Sequence, residues 1–287
     1  MADTREPSPQ FKIGIMQGRL SPPDGEIAQY FPRERWQEEF SLSRECGFDT
    51  IEWLYDAGTE DDNPILDAKG MLQIRDLCKA SGIEIASVCA DYFKDRSLAT
   101  DDEQERRRVS ARLVRLIDVA SRVGVKNIVV PFLEGSTVPS EKLRHTAASA
   151  LGEGLAQASQ SEVNVVLETD LSAEILLGWL EQIDHPSLGV NYDLGNAVAM
   201  GYDPIQEISL LGTRIRSVHI KDRTLNGPNV PLGTGAVNFR SALLELWSIG
   251  YRGNLVLETV RGQDYTSDAK RNLAYIRDVV HSLRLNG

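Results

Sequence analysis

Short apolar runs alternate with longer amphipathic stretches from residue 11 onward. The runs read FKIGIMQ (11–17), DTIEWL (49–54), IEIASVC (83–89), KNIVVPF (126–132), VNVVLE (163–168), LGVNYD (188–193), IRSVHIK (215–221) and GNLVLE (253–258). Each is short and largely apolar, as a strand buried in a parallel sheet must be. The stretches between them have helical spacing. Val109, Leu113, Leu116, Ala120 and Val123 recur at intervals of three and four, and Leu273, Ile276, Val280 and Leu283 do the same near the C-terminus. Ser267 stands where it would cap that last helix. Gly47, Gly82, Gly124 and Gly250 each separate a helical stretch from the next strand, the usual place for a helix stop.

Eight strands alternating with helices predict an α/β protein, either a doubly wound sheet or a (β/α)8 barrel. A length of 287 residues favours the barrel, for which about 250 residues is typical. No GxGxxG follows the first strand, which lowers the dinucleotide-binding alternative. Residues 11–287 contain no linker and no low-complexity segment, so they are expected to form one catalytic barrel domain behind a loose tail of residues 1–10.

In a barrel of this kind the active site sits at the strand C-terminal ends. The polar residues closing the strands are Gln17, Glu52, Asp91 or Cys89, Glu168, Asp193, His219 with Lys221, and Glu258; the fourth strand offers Pro131. Alternation along the strands puts Glu168 in phase with Val166, Asp193 with Asn191, His219 with Ser217, and Glu258 with Val256. All four then point inward at neighbouring strand ends. Three adjacent carboxylates repel, and one imidazole cannot offset them. A divalent metal can. Three oxygen donors and one imidazole suit Mn, Mg, Co or Zn. Their spacings of 25, 26 and 39 residues are one βα unit each, the last lengthened by the loop 223–239. The other histidines, His145, His185 and His281, fall in helices or a turn and read as surface or packing residues. Glu52 is either a substrate contact or a buried hydrogen-bond partner. Trp53 beside it falls on the opposite face of the strand and reads as packing.

Net charge and cysteine usage narrow the function. The formal charge of −11 argues against nucleic-acid partners. Three cysteines, an odd number with no metal-like spacing, fit a reduced, cytoplasmic protein. The N-terminus lacks the apolar core of a signal peptide, and no run is long enough to span a membrane.

The motifs GFDTIEW, LET, YDLGN, HIKD, PLGTGAVNF and LETVRG together resemble the xylose isomerase-like TIM barrels, and within them the sugar-phosphate isomerase/epimerase and ketose 3-epimerase branch. The resemblance spans about residues 11–285. It implies that Glu168, Asp193, His219 and Glu258 hold one divalent ion, manganese among the candidates, and that Glu168 and Glu258 are the acid/base pair. The implied activity is a metal-dependent isomerase or epimerase acting on a ketose, sugar phosphate or related polyol ketone. Substrate contacts are expected from Gln17, Arg19, Glu52, Asn196, Lys221 and Arg261, and homo-oligomers are common in the family.

Related epimerases often carry Asp-x-x-His after the sixth strand. Here the motif is DLGN, with Asn196 in place of the histidine, and asparagine carries no proton at neutral pH. Endonuclease IV-like members of the superfamily use more histidines than this chain offers, and Gly227 and Asn229 stand where their Asp-x-His element would be. A phosphate could meet Lys221, Arg223, Gly233, Gly235 and Arg261 near the last two strands, or Arg19 at the first. Gly233 and Gly235 are as readily explained by the loop's need to turn. Two other readings share the scaffold: a lyase resembling inosose dehydratase, and a sugar-binding barrel without catalysis.

Overall fold

The computed structural model describes residues 10–23 and 29–284. The expected tail, apart from Gln10, lies outside the described residues. Eight parallel strands close into a barrel: β1 (Ile13–Met16), β2 (Thr50–Leu54), β3 (Glu84–Cys89), β4 (Asn127–Phe132), β5 (Asn164–Thr169), β6 (Leu188–Asp193), β7 (Ile215–Ile220) and β8 (Leu255–Leu257). Each strand pairs with its sequence neighbours, and β8 closes on β1 with Ile13 opposite Leu255. The single-domain (β/α)8 barrel expected from the pattern is the fold.

One long helix follows each strand: Glu38–Cys46, Ala68–Ser81, Glu103–Arg122, Glu141–Ser161, Ala173–Ile183, Pro204–Leu211, Phe239–Ser248 and Tyr265–Arg284. Their apolar faces cover the outward side chains of the strands. Trp53 is one of these. Its ring is fully buried, meets Trp36 edge-on at 5.4 Å, and donates its indole N–H to Asn63 Oδ1 at 2.9 Å. Gly47 and Gly82 end their helices in the left-handed region, where glycine has no Cβ to clash.

Three local features differ from the sequence reading. Ser267 does not cap the last helix. Asp264, three residues earlier, accepts from the Ser267 N–H at 3.2 Å, and Ser267 lies inside the first turn. The segment after β7 is not all loop: Asp222–Arg223 pairs antiparallel with Asn229–Val230. Two-residue strands are too short to show a periodic pattern. Short helices also follow β3 (Tyr92–Asp95) and β6 (Leu194–Ala199) before the long ones begin. No helix among the described residues is long and apolar enough to cross a membrane.

The barrel interior is polar as well as apolar. Thr50, Glu52, Ser87, Asn191, Ser217 and His219 are all buried there. Buried polar groups destabilise unless they are paired. The pairing of several of them builds the site at the top of the barrel.

Candidate active site

Glu168 lies on β5, Asp193 ends β6, His219 lies on β7 and Glu258 directly follows β8. Asp193 and His219 stand opposite each other in the β6–β7 ladder. The Glu258 N–H donates to the Ile220 carbonyl at 3.1 Å, so the ladder continues one residue past β8 and fixes the Glu258 backbone. One ligand atom from each of the four residues lies within 4.8 Å of the others.

Local sequence explains how each side chain is held. In DLGN, Asp193 caps the short helix, with Oδ1 accepting the Asn196 N–H at 2.9 Å. Oδ1 is thereby committed, and Oδ2 faces the cluster. A Cβ at Gly195 would come within 2.9 Å of the Lys221 carbonyl, so glycine lets this helix press against the end of β7. Glu168 is held at both oxygens: Asn191 Nδ2 donates to Oε2 at 3.0 Å and Asn196 Nδ2 to Oε1 at 3.1 Å. His219 is fully buried. Its Nε2 lies 2.7 Å from Glu52 Oε1, and its Nδ1 faces Glu258 Oε2 at 3.0 Å and Glu168 Oε2 at 3.4 Å. Glu52, also fully buried, accepts a second bond from Ser87.

Lys221 reaches into the same group, 2.7 Å from Glu258 Oε1 and 3.0 Å from Asp193 Oδ2. Burial raises the Glu168 carboxyl to about 7, with Asp193 and Glu258 adding to the rise and His219 opposing it. Burial also works against ionised Glu258, but Lys221 and His219 outweigh it and hold that carboxyl well below its ordinary value. Burial pulls the His219 imidazole down, while Glu52, Glu168 and Glu258 overcome it and hold the ring well above its ordinary value. Two adjacent carboxyls in one cluster are thus driven in opposite directions.

The residues fit a divalent cation. Their donor set is three carboxylates and one imidazole, and the buried Asp193 Oδ2 and His219 Nδ1 have no hydrogen bond of good geometry within the protein. Glu52 on Nε2 orients the ring so that Nδ1 would be the nitrogen offered to an ion, the support that metal-ligating histidines usually have.

A cavity of about 440 Å³ opens above the cluster, a volume suited to a small ligand. Of the substrate contacts expected from the sequence, Arg19, Asn196 and Lys221 line it, as do Glu168 and Glu258. Gln17, Glu52 and Arg261 lie outside its lining. Gln17 Oε1 instead accepts the Leu54 N–H at 3.1 Å, and Arg261 Nε donates to the Ser21 carbonyl at 3.1 Å. The glycine-rich loop is turned inward on the protein: Gly233 and Gly235 N–H groups both donate to Asp222 Oδ2 at 2.9 Å. Their N–H groups are therefore spent on that carboxylate.

The wall opposite β6 and β7 holds Asp91 together with residues that the strand pattern does not single out. Gln29 Nε2 donates to Asp91 Oδ2 at 2.6 Å, and Lys94 Nζ lies 3.2 Å from the same oxygen. All three line the cavity, with Glu134 beyond them. Asp91 was legible as a polar residue near the end of β3. Gln29, Lys94 and Glu134 lie outside the strands, where no periodicity marks an inward position.

A barrel with these donors at four successive strand ends can be compared with known proteins. The family model described as xylose isomerase-like TIM barrel matches residues 40–279. The chain belongs to the xylose isomerase-like TIM barrel family. Among its relatives is a putative L-ribulose-5-phosphate 3-epimerase of Escherichia coli strain K12, 29% identical over 242 residues and covering 78% of this chain and 83% of that one. An L-ribulose-5-phosphate 3-epimerase of Escherichia coli strain SMS-3-5 is 27% identical over 286 residues, with 95% of each chain covered. The family's barrel recurs in the solved structure of an L-ribulose 3-epimerase, with a TM-score of 0.76, 19% identity and 96% of each chain covered. It recurs also in a xylose isomerase-like protein from Mycobacterium smegmatis in complex with magnesium, with a TM-score of 0.70 and 21% identity over 95% of this chain and 97% of that one.

Proposed function

We propose that this member of the family is a divalent-metal-dependent epimerase of a ketose or ketose phosphate. The observation that carries the reading is the convergence of Glu168 and Glu258. They come from strand β5 and the residue after β8, approach the same His219 nitrogen at 3.4 and 3.0 Å, and line one cavity. Relatives with 95% coverage act on L-ribulose 5-phosphate by name, and one structural neighbour is a magnesium complex.

Glu168, Asp193, His219 and Glu258 would hold the ion. A bound divalent ion supplies a Lewis acid that stabilises the negative charge of an enediolate. The protein's own groups do the proton work. One glutamate removes the proton from the carbon beside the ketose carbonyl, and the other returns a proton to the opposite face of that carbon. Burial raises the Glu168 carboxyl towards neutrality, the direction that proton transfer near neutral pH needs. The amides of Asn191 and Asn196 fix both of its oxygens, so the proton leaves and arrives along a set direction. Lys221 offsets the charge of Glu258 and Asp193. Asn196 orients Glu168 and carries no proton itself.

The test is incubation with L-ribulose 5-phosphate and Mn²⁺ in D₂O, followed by NMR. The reading expects deuterium at C3 and appearance of the 3-epimer, with no change in mass beyond the exchange. Deuterium at C2 of an aldose product would make it an aldose–ketose isomerase, and loss of water a lyase. Absence of exchange with this and every other ketose or ketose phosphate tried would contradict the reading.

A further inference from the structure

Four cationic side chains line the cavity, and three of them are matched to carboxylates. Lys221 contacts Glu258 and Asp193, Lys94 contacts Asp91, and Arg19 lies 3.7 Å from Glu258. Arg223 differs. Among the described residues no carboxylate oxygen lies within 4.0 Å of its guanidinium. Its partners are neutral: Nε and Nη2 donate to the Gly227 carbonyl at 3.1 and 2.9 Å, and Nη1 donates to Asn196 Oδ1 at 3.0 Å. The neighbouring acid, Asp222, is turned away and engaged by Gly233, Gly235 and Val237. A guanidinium has five N–H groups, and these three bonds leave two for a ligand.

We infer that Arg223 is the specificity residue for an anionic group on the substrate, so that the enzyme acts on a phosphorylated ketose in preference to the free sugar. The inference rests on the epimerase reading for its chemistry. Its geometry is a short chain of contacts: Arg223 Nη1 bonds Asn196 Oδ1, and Asn196 Nδ2 bonds Glu168 Oε1 at 3.1 Å. The cation is thus one side chain away from the acid/base glutamate. A single small molecule then reaches both, its reacting carbon at Glu168 and its phosphate at Arg223. The remaining N–H groups of an arginine make charge-assisted bonds that suit phosphate oxygens. The bonds to Gly227 prepay the ordering of the side chain, so little freedom is lost when an anion arrives.

Arg223 also braces the 224–227 turn, and the test must separate that bracing from anion recognition. The experiment measures kcat and KM with Mn²⁺ for L-ribulose 5-phosphate and for L-ribulose, in the wild type, Arg223→Met and Arg223→Lys. Recognition of phosphate predicts that the wild type prefers the phosphate by about 100-fold or more in kcat/KM, the range expected for one or two charge-assisted bonds. It predicts that Arg223→Met lowers that preference by about 30-fold or more, chiefly through KM, and that Arg223→Lys restores part of it. A bracing role alone would lower both substrates equally and leave the ratio unchanged, which would overturn the inference, as would a wild type with no preference for the phosphate. If neither sugar turns over in any metal, L-ribulose 5-phosphate and L-ribulose are not its substrates, a failure separate from that of the anion site. Calorimetric titration with inorganic phosphate then decides the anion site: binding that is lost in Arg223→Met sustains it, and absence of binding in the wild type overturns it.

Discussion

His219 Nε2 and Glu52 Oε1 lie 2.7 Å apart, although their strands, β7 and β2, stand three places apart around the barrel. Both side chains are fully buried, so the contact crosses the barrel interior. It fixes the ring so that Nδ1 faces the cluster.

Glu52→Gln keeps the size of the side chain and removes its charge, which weakens its hold on the imidazole. Partners of this kind usually contribute about 10–100-fold to metal affinity. Titration of the metal-stripped protein with Mn²⁺ is expected to show a loss in that range with the fold retained. Equal affinity in variant and wild type would mean that Glu52 does no more than fill the interior.

Glu168→Gln and Glu258→Gln each remove one member of the proposed proton-transfer pair. Each is expected to lower kcat/KM by about 100-fold or more at saturating metal. The double variant should lose scarcely more than the worse single one, because residues that act as a unit are not additive. Residual activity near the wild-type level in either single variant would remove that residue from the chemistry.

Gly195 gives a test of how Asp193 is positioned. A methyl group there would meet the Lys221 carbonyl at 2.9 Å. Overpacking of this sort costs about 1–3 kcal/mol. Gly195→Ala should lower stability by that amount in denaturant titration and weaken metal binding, since the helix capped by Asp193 must move. Unchanged stability and affinity would show that the close approach is not required.

A pH dependence arises away from the cluster. Glu39 is buried beneath the β1 loop, where its carboxyl accepts from the Gly18 and Leu20 N–H groups and the Ser21 hydroxyl. Burial raises it to about 7, with those bonds opposing the rise. The folded state then binds this proton more tightly than the unfolded state between about pH 4.5 and 7, so folding stability falls as pH rises through that window. The contribution is up to about 3 kcal/mol for a rise of this size. Urea titrations of wild type and Glu39→Gln should show the wild type losing stability relative to the variant from pH 5 to 7.5. A relative gain over that range would mean that the hydrogen bonds outweigh burial.

Much of the fold was legible because each strand is buried on both faces and each intervening helix has one apolar face. Those constraints write the periodicity of β3 through β7 directly into the sequence. The four convergent donors were legible for a related reason: an in-phase polar residue at the end of an apolar strand has few structural uses. Contacts set by barrel closure were not legible. Glu52 and His219 are 167 residues apart, and only the cylinder brings them together. The double role of Asn196, between Glu168 and Arg223, depends on a six-residue helix and a two-residue strand, neither long enough to show a period. The Ser267 cap was misplaced because Asp264 offers the same chemistry one turn earlier.

Everything proposed for the chemistry depends on Glu168, Asp193, His219 and Glu258 forming one divalent-metal site. Its most direct measurement is metal content by mass spectrometry, for protein purified without chelator and again after loading with Mn²⁺ and desalting, in the wild type and in His219→Ala. About one divalent ion per wild-type chain is expected, with a large loss in the variant and the two proteins alike in circular dichroism. A wild type that retains no ion after loading, or a variant that retains as much as the wild type, would contradict such a site.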